Sequence, residues 1–381
     1  MIENREFRRI YALQVLIAVA DAMGMSFMAL YAVKRGLRLE DLLEAMTLAF
    51  AMPVILIALM RRARAKLSFC FAFAAKVAAY AIAFSGLGPC TLDLVYMSNA
   101  LVLVFFWIPY NLEFFSYASE RSRAFSGSLA MAVYPFVGCL VPPLAAHVWA
   151  AYGFGANMLA AVAVLVGASA HALLNRSIRF RAFDYRIGHS LRKLVRYRAL
   201  FLLQGIYEAS VLVGVPVFTL LFIRTEVRLG VFFSYLGLLS MLATIALARL
   251  SDRTRRRTAF LYPTVFLAAG ATMAMALGSS APVWVGLAGL FQLSNILVVP
   301  FLISVALDAP VGGIDMWAGR ELLLNLGRAL GSVLMLIAYR ALHDHRPAFL
   351  VLGAALLAFA LLIHIQRIYP KVTIVPAQPA R

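Results

Sequence analysis

The clear cases of ionisable residues inside long apolar runs are Asp21, Lys76, Glu113, Glu208 and Arg328. A charged side chain at hydrocarbon depth costs on the order of 2.5–3.5 kcal/mol on insertion scales, so each needs a partner, a cavity or water. Acids held in a cavity at that depth could bind a polar solute or pass protons. Lys76 suits pairing with a buried acid such as Asp21. Arg328 stands near Asn325 and inside Gly327-x-x-x-Gly331. It reads equally as a contact for an anionic solute and as part of a seam where small residues let helices approach. Glu113 lies near enough to the end of its run to reach water. Gln14, Trp107, Tyr110, Asn111, Gln204, Tyr207, Gln292 and Asn295 are uncharged candidates at similar depth. Each could face a solute or serve as an interhelical hydrogen bond, the commoner use.

The elements that carry these residues follow from composition. Of 381 residues, 63% are hydrophobic and 14% charged, against about 45–50% and about 25% in soluble domains. No soluble core hides so much apolar surface, so lipid is the solvent for most of the chain. Helical spans of roughly 20 apolar residues are expected, about twelve in all. They fall at 10–33, 41–60, 67–86, 91–117, 125–150 and 154–174, then at 198–223, 229–249, 258–278, 282–307, 317–340 and 346–367. The runs are continuous and do not alternate, which excludes a transmembrane β-barrel. Pro53, Pro109, Pro135, Pro142, Pro216 and Pro300 lie within them as expected bends.

The net charge of +18 gathers in the connections between runs. Basic residues collect at the N-terminus, Arg61–Lys66, Arg121 and Arg123, 175–198, 249–257 and the tail. That distribution is the positive-inside pattern, and it disfavours a nucleic-acid partner. It places both termini in the cytoplasm, in a multi-pass protein of the inner (cytoplasmic) membrane. The N-terminal run is long, contains Asp21 and lacks a cleavage site, so it is expected to be the first span. Cys70, Cys90 and Cys139 form no CxxC pair and imply no disulfide framework. In the connection after residue 174, Phe180, Phe183, Ile187, Leu191, Leu194 and Val195 recur at helical spacing, with Arg186, Arg192, Lys193 and Arg196 between them. The spacing predicts a basic amphipathic helix on the cytoplasmic leaflet, or else a solvated loop. His343-Asp344-His345 reads as a solvated link more readily than as a metal site, and no cofactor or hydrolase motif is found.

Two halves show weak repetition. Phe106-Trp107-Ile108-Pro109 parallels Leu297-Val298-Val299-Pro300, and Gln14 with Asp21 parallels Gln204 with Glu208. The connection following the eighth run reads Ala248-Arg249-Leu250-Ser251-Asp252-Arg253-Thr254-Arg255-Arg256-Arg257. It resembles the cytoplasmic-loop signature of the major facilitator superfamily: a small residue, three variable positions, Asp-Arg, then a basic pair. Asp252, Arg253, Arg256 and Arg257 match its charged positions; Ala248 and Arg255 stand where glycines are usual. The equivalent first-half loop has Arg62 where the acid would be. Gly138-Cys139-Leu140-Val141-Pro142-Pro143 is similar to the Gly- and Pro-rich motif of the superfamily's fifth helix. Arg320–Gly331 looks like a pattern of its poorly characterised bacterial permeases.

The resemblance implies an all-α membrane protein of twelve spans in two six-helix bundles, 1–174 and 198–367, with a linker at 175–197 and a tail at 368–381. It implies that helices one, four, seven and ten line a central cavity. Asp21, Glu113 and Glu208 then lie on three of these. It implies that Asp252 faces the start of the fifth helix near Ser126 and Gly127, as part of a cytoplasmic gate. The function expected is secondary transport of a small solute by alternating access, coupled to protons, by a monomer in lipid with no enzymatic activity and no cofactor. A transporter-like sensor and, behind it, a lipid-acting membrane enzyme are the alternatives.

Overall fold

The computed structural model describes residues 5–116, 123–175, 182–253, 257–307, 309 and 311–368; side chains at 123–131, 245–253, 257–260 and 304 are not described. The long helices, labelled in chain order, are α1 Arg5–Lys34, α2 Leu39–Leu59, α3 Ala65–Ser85, α4 Pro89–Ser116, α5 Arg123–Tyr152 and α6 Phe154–Leu174. There follow α7 Arg198–Leu221, α8 Glu226–Arg253, α9 Arg257–Ala274, α10 Ala281–Leu307, α11 Gly313–Leu342 and α12 Arg346–Ile365. Among the described residues eleven helices are long and apolar enough to cross a membrane, and a shorter apolar stretch, Leu261–Leu277, covers most of α9 and the 3-10 turn that follows it. Each satisfies its own backbone hydrogen bonds, which lipid cannot do. Large apolar side chains such as Ile55, Phe71, Phe136, Leu144 and Leu361 point outward and exposed, as a lipid-facing surface requires. The chain is a multi-pass membrane protein.

Three helices contain a widened π turn: Asp21–Met25 in α1, Leu103–Trp107 in α4 and Ser210–Gly214 in α7. In α4 and α7 the turn ends just ahead of Pro109 and Pro216. Proline has no N–H to donate, and its ring crowds the carbonyl four residues earlier; a widened turn relieves both. In α1 no proline is present, and a neighbour does the work. The Tyr80 hydroxyl of α3 donates to the Ala20 carbonyl at 3.0 Å and accepts from the Met25 N–H at 3.1 Å. Its ring occupies the space where any side chain at Gly24 would sit.

The packing repeats with a half-chain offset. Helix α1 packs on α6 and α7 on α12; α2 packs on α4 and α8 on α10; α3 packs on α6 and α9 on α12. The two halves meet through α5 against α8 and α2 against α11. Glycines make the first seam close: Gly230 sits under Pro142 and Ala146, Gly237 lies against Gly138 and Cys139, and Ser234 Oγ donates to the Cys139 carbonyl at 2.6 Å.

The linker differs from the expected helix. Ala182–Asp184 forms a strand that pairs antiparallel with Arg62–Arg64 between α2 and α3, Arg62 opposite Asp184. Phe180 lies outside the described residues, and among the described linker residues the helical stretch is Ile187–Lys193. Leu194 just beyond it is buried, next to where a side chain on Gly319 of α11 would lie. Lys193 and Ser190 bond to Asp315 of α11, at 3.2 and 3.0 Å. So part of the apolar face predicted to lie on the leaflet docks on protein, because a glycine on α11 leaves room for it.

Candidate functional site

Asp21 opens the π turn of α1, and Lys76 of α3 reaches it as an ion pair. Lys76 also donates to Asn99 of α4. The lysine side chain is 2% exposed and the aspartate 27%. Asp21 Oδ1 is sealed, so the open part of the carboxylate is the other oxygen. The pairing anticipated on charge grounds is therefore present, and it is lopsided: the cation is hidden and the anion faces open space.

Beside it stands an aromatic wall. Trp107, the last residue of the α4 π turn, lies 6.0 Å from Tyr134 of α5 and 5.6 Å from Tyr110, centroid to centroid. Tyr134 is within electrostatic reach of Asp21. It is 37% exposed and shares a helix face with Gly138 four residues on, which abuts Gly237 of α8. That face looks between the halves, so the open surface of Tyr134 lies on the side of the helix that faces the other half. Tyr110 donates to Gln14 of α1 at 2.6 Å, which makes Gln14 interhelical glue. Nothing in the sequence marked Tyr134: a tyrosine in an apolar run carries no charge signal.

The second half carries a larger network. Glu208 of α7 accepts from Gln204 at 2.8 Å and, on Oε2, from Arg328 Nε at 2.8 Å. Arg328 also donates through Nη2 to the same oxygen, and through Nη1 to Asn325 at 3.1 Å and Glu321 at 3.5 Å. Arg320 pairs with Glu321 at 3.1 Å. Tyr207 donates to Asn295 of α10 at 2.9 Å, tying α7 to α10 as Tyr110 and Gln14 tie α4 to α1. The side-chain exposure is again uneven, 10% for Arg328 and 19% for Glu208. Both readings of the Arg328 segment bear on one seam. A Cβ on Gly327 would come within 2.8 Å of the Gly205 Cα, and Gly331 packs on Ala209 and Ile206. Arg328 has its donors engaged inside that seam.

Arg320 and Glu321 open the permease-like segment but are not among the site candidates, because they stand in the first turn of a span expected from 317; the helix begins at Gly313 and buries them both. Glu113 is half-buried in the last turns of α4 and its carbonyl accepts from Ser116 at 2.6 Å. Gln292 donates to Ser240 of α8 at 2.7 Å. The side chains of Asp252, Arg253, Arg256 and Arg257 lie outside the described residues. His345 packs in a box of Phe218, Phe222, Trp284 and Phe349, ring centroids 5.4–6.2 Å away. Among the described residues no group of three metal-ligating side chains gathers.

On the face that carries the α1–α2 link, two ion pairs cross between halves. Lys34 meets Glu226 of α8, and Arg340 of α11 meets Glu44 of α2 at 2.6 Å. Phe27 and Phe233 make an edge contact below the first pair. On the opposite face Phe115 of α4 stacks on Trp317 of α11 at 5.3 Å.

No family model matches the sequence, and no curated protein matches it. Solved structures do match. The human organic anion transporter MFSD10 superposes with a TM-score of 0.64 at 15% identity, covering 95% of this chain and 100% of the other. A bacterial homologue of the iron transporter ferroportin, in an outward-facing state, gives 0.69 at 12% identity over 95% and 99%. The fucose:proton symporter FucP of E. coli gives 0.65 at 12% identity over 94% and 98%. Those three transporters handle different solutes, so the likeness speaks to architecture and leaves chemistry to the site. With full-length superposition on all three, the chain has the fold of the major facilitator superfamily of transporters.

Proposed function

We propose that the chain is a secondary active transporter that moves a small solute across the cytoplasmic membrane by alternating access, coupled to protons. The observation that carries this reading is the placement of lopsided ion pairs, Asp21–Lys76 and Glu208–Arg328, on α1 and α7 at positions where those helices widen into π turns or approach one. Each presents more carboxylate than cation to open space. Local π turns occur frequently at functional sites, and an ionisable group at membrane depth marks a solute or proton path.

In this reading twelve helices span the membrane with both termini in the cytoplasm. Residues 1–174 and 198–367 form two six-helix bundles that rock against each other along the α5–α8 and α2–α11 seams. The basic connections and the linker lie inside, where the positive-inside pattern puts them. Asp252, with Arg253, Arg256 and Arg257, forms part of the cytoplasmic gate. The first-half loop, which has Arg62 in place of an acid, finds one in Asp184 of the linker strand, 3.6 Å away.

The test is reconstitution in vesicles with an imposed pH gradient and a trapped pH dye. A solute panel is added, and solute-dependent proton movement is recorded for the native chain and for Asp21→Asn and Glu208→Gln. Proton coupling predicts that at least one variant uncouples solute uptake from proton flux. If both variants behave as the native chain does, neither acid is the relay. If no solute moves in either direction, the chain is not a transporter.

A further inference from the structure

The two half-sites share a charge order that selects a ligand. Lys76 is sealed, with Asp21 and Asn99 as its partners. Arg328 has its Nε and both terminal nitrogens committed to Glu208, Glu321 and Asn325. An anion entering between the halves would have to strip these cations from partners already in place, leaving buried carboxylates unpaired, which costs about 3–5 kcal/mol for a single broken pair. What the first half offers instead is acceptor oxygen and ring face. Asp21 shows its free oxygen, and Trp107 and Tyr134 stand beside it with Tyr134 more than a third open. A carboxylate beside tryptophan and tyrosine faces is the environment that desolvated ammonium groups favour.

We infer that the site beside α1, α4 and α5 binds a protonated amine or other organic cation with an apolar or aromatic body, its charge on Asp21 and its body against Trp107 and Tyr134. The π turn of α4 aims Trp107 at that place, and the π turn of α1 begins on Asp21. Glu208, more exposed than its partner cation, offers a second carboxylate on the other half. This inference rests on the transporter reading for its purpose, though not for its test.

Binding is measured on the purified native chain in detergent, with no gradient, using radiolabelled tetraphenylphosphonium as the probe and benzylamine, benzoate and glucose as competitors. The expected result is saturable binding of the probe, displaced by benzylamine and unaffected by benzoate or glucose. Asp21→Asn and Tyr134→Ala should each weaken binding by about ten-fold. Asp344→Asn, in the exposed link between α11 and α12, should leave it unchanged. Thermal unfolding checks that each variant folds, and Tyr134→Ala, which removes no charge, stands in should Asp21→Asn fail that check. Absence of probe binding, displacement by benzoate or glucose, or full affinity in both site variants overturns the inference. Uptake in vesicles is scored separately. A cation that binds but is moved in neither direction leaves the ligand class standing and removes the transporter reading. Transport of an anion or sugar by a protein that binds no cation does the reverse.

Discussion

At the level of single residues the governing fact is that a charge in a membrane helix is tolerated only with its partner. Lys76 illustrates it. It was legible as a pairing residue because a lysine mid-span has few other options, and Asp21 supplies the partner. Replacing Lys76 with Met removes the cation and strands a carboxylate. Because Asp21 keeps some water contact, the expected loss is about 2–3 kcal/mol, below the about 3–5 of a fully buried pair. Asp21→Asn combined with Lys76→Met should recover most of it. Thermal unfolding of the three variants in one detergent checks the order, and a double variant no better than the single would sink it. His345 is a second case, outside the spans. Burial among four rings pushes its imidazole below the ordinary histidine value of about 6.5, against a smaller upward pull from Asp344. The unfolded chain therefore takes up the proton first as pH falls. The stability that this neutral ring contributes is complete above about pH 6.5 and is lost as pH drops toward the folded value. The melting temperature should fall between pH 7.5 and pH 5.5, and His345→Phe, which keeps the ring, should fall less. Equal slopes for both proteins would assign the pH effect elsewhere. The sequence could not reveal this box, since its rings come from α7, the link after it, α10 and α12.

Among the elements, hydropathy located the spans to within a few residues but was blind to their irregularities. The first span was expected at 10–33 and runs from Arg5 to Lys34; the eleventh, expected at 317, starts at Gly313. Charged first turns hid both starts. The π turns in α4 and α7 had a readable cause in Pro109 and Pro216, whereas the one in α1 depends on Tyr80 from another helix and has no local mark. The strand between α2 and α3 was missed for a similar reason. Three residues, Arg62–Arg64, make no pattern alone, and their ladder partner lies more than a hundred residues later. Helix seams were more legible, because glycine spacing reports close approach. Gly237 meets the Gly138–Cys139 backbone of the other half so closely that no side chain fits. Gly237→Leu should force α5 and α8 apart and cost about 1–3 kcal/mol. The same change at Gly270, a site with open space, should cost little. If the two variants melt alike, the seam is looser than its geometry indicates.

The molecule as a whole is two similar halves held by two like seams, so its state depends on contacts that cross between them. Lys34–Glu226 and Glu44–Arg340 cross on the same face, and Tyr339 lies within electrostatic reach of both Glu40 and Arg224, which belong to opposite halves. Partly exposed ion pairs contribute only about 0–1 kcal/mol each. That is too little to hold the fold together and enough to tilt a balance between two arrangements by a factor of about 5. Under the alternating access proposed above, the pairs act on which face is closed rather than on whether the chain folds. With the native cysteines replaced by serine and spin labels placed at Arg35 and Arg228, both exposed on this face, Lys34→Glu should move population toward longer distances by about 2–5-fold. Glu226→Lys should do the same, because either change sets like charges against each other. The combined swap restores an attractive pair and should bring the short distance back, with melting temperatures near native throughout. A distance distribution that ignores all three variants would mean the pair is incidental to closure. A swap that stays open would mean that packing around Phe27 and Phe233, and not charge, keeps this face shut.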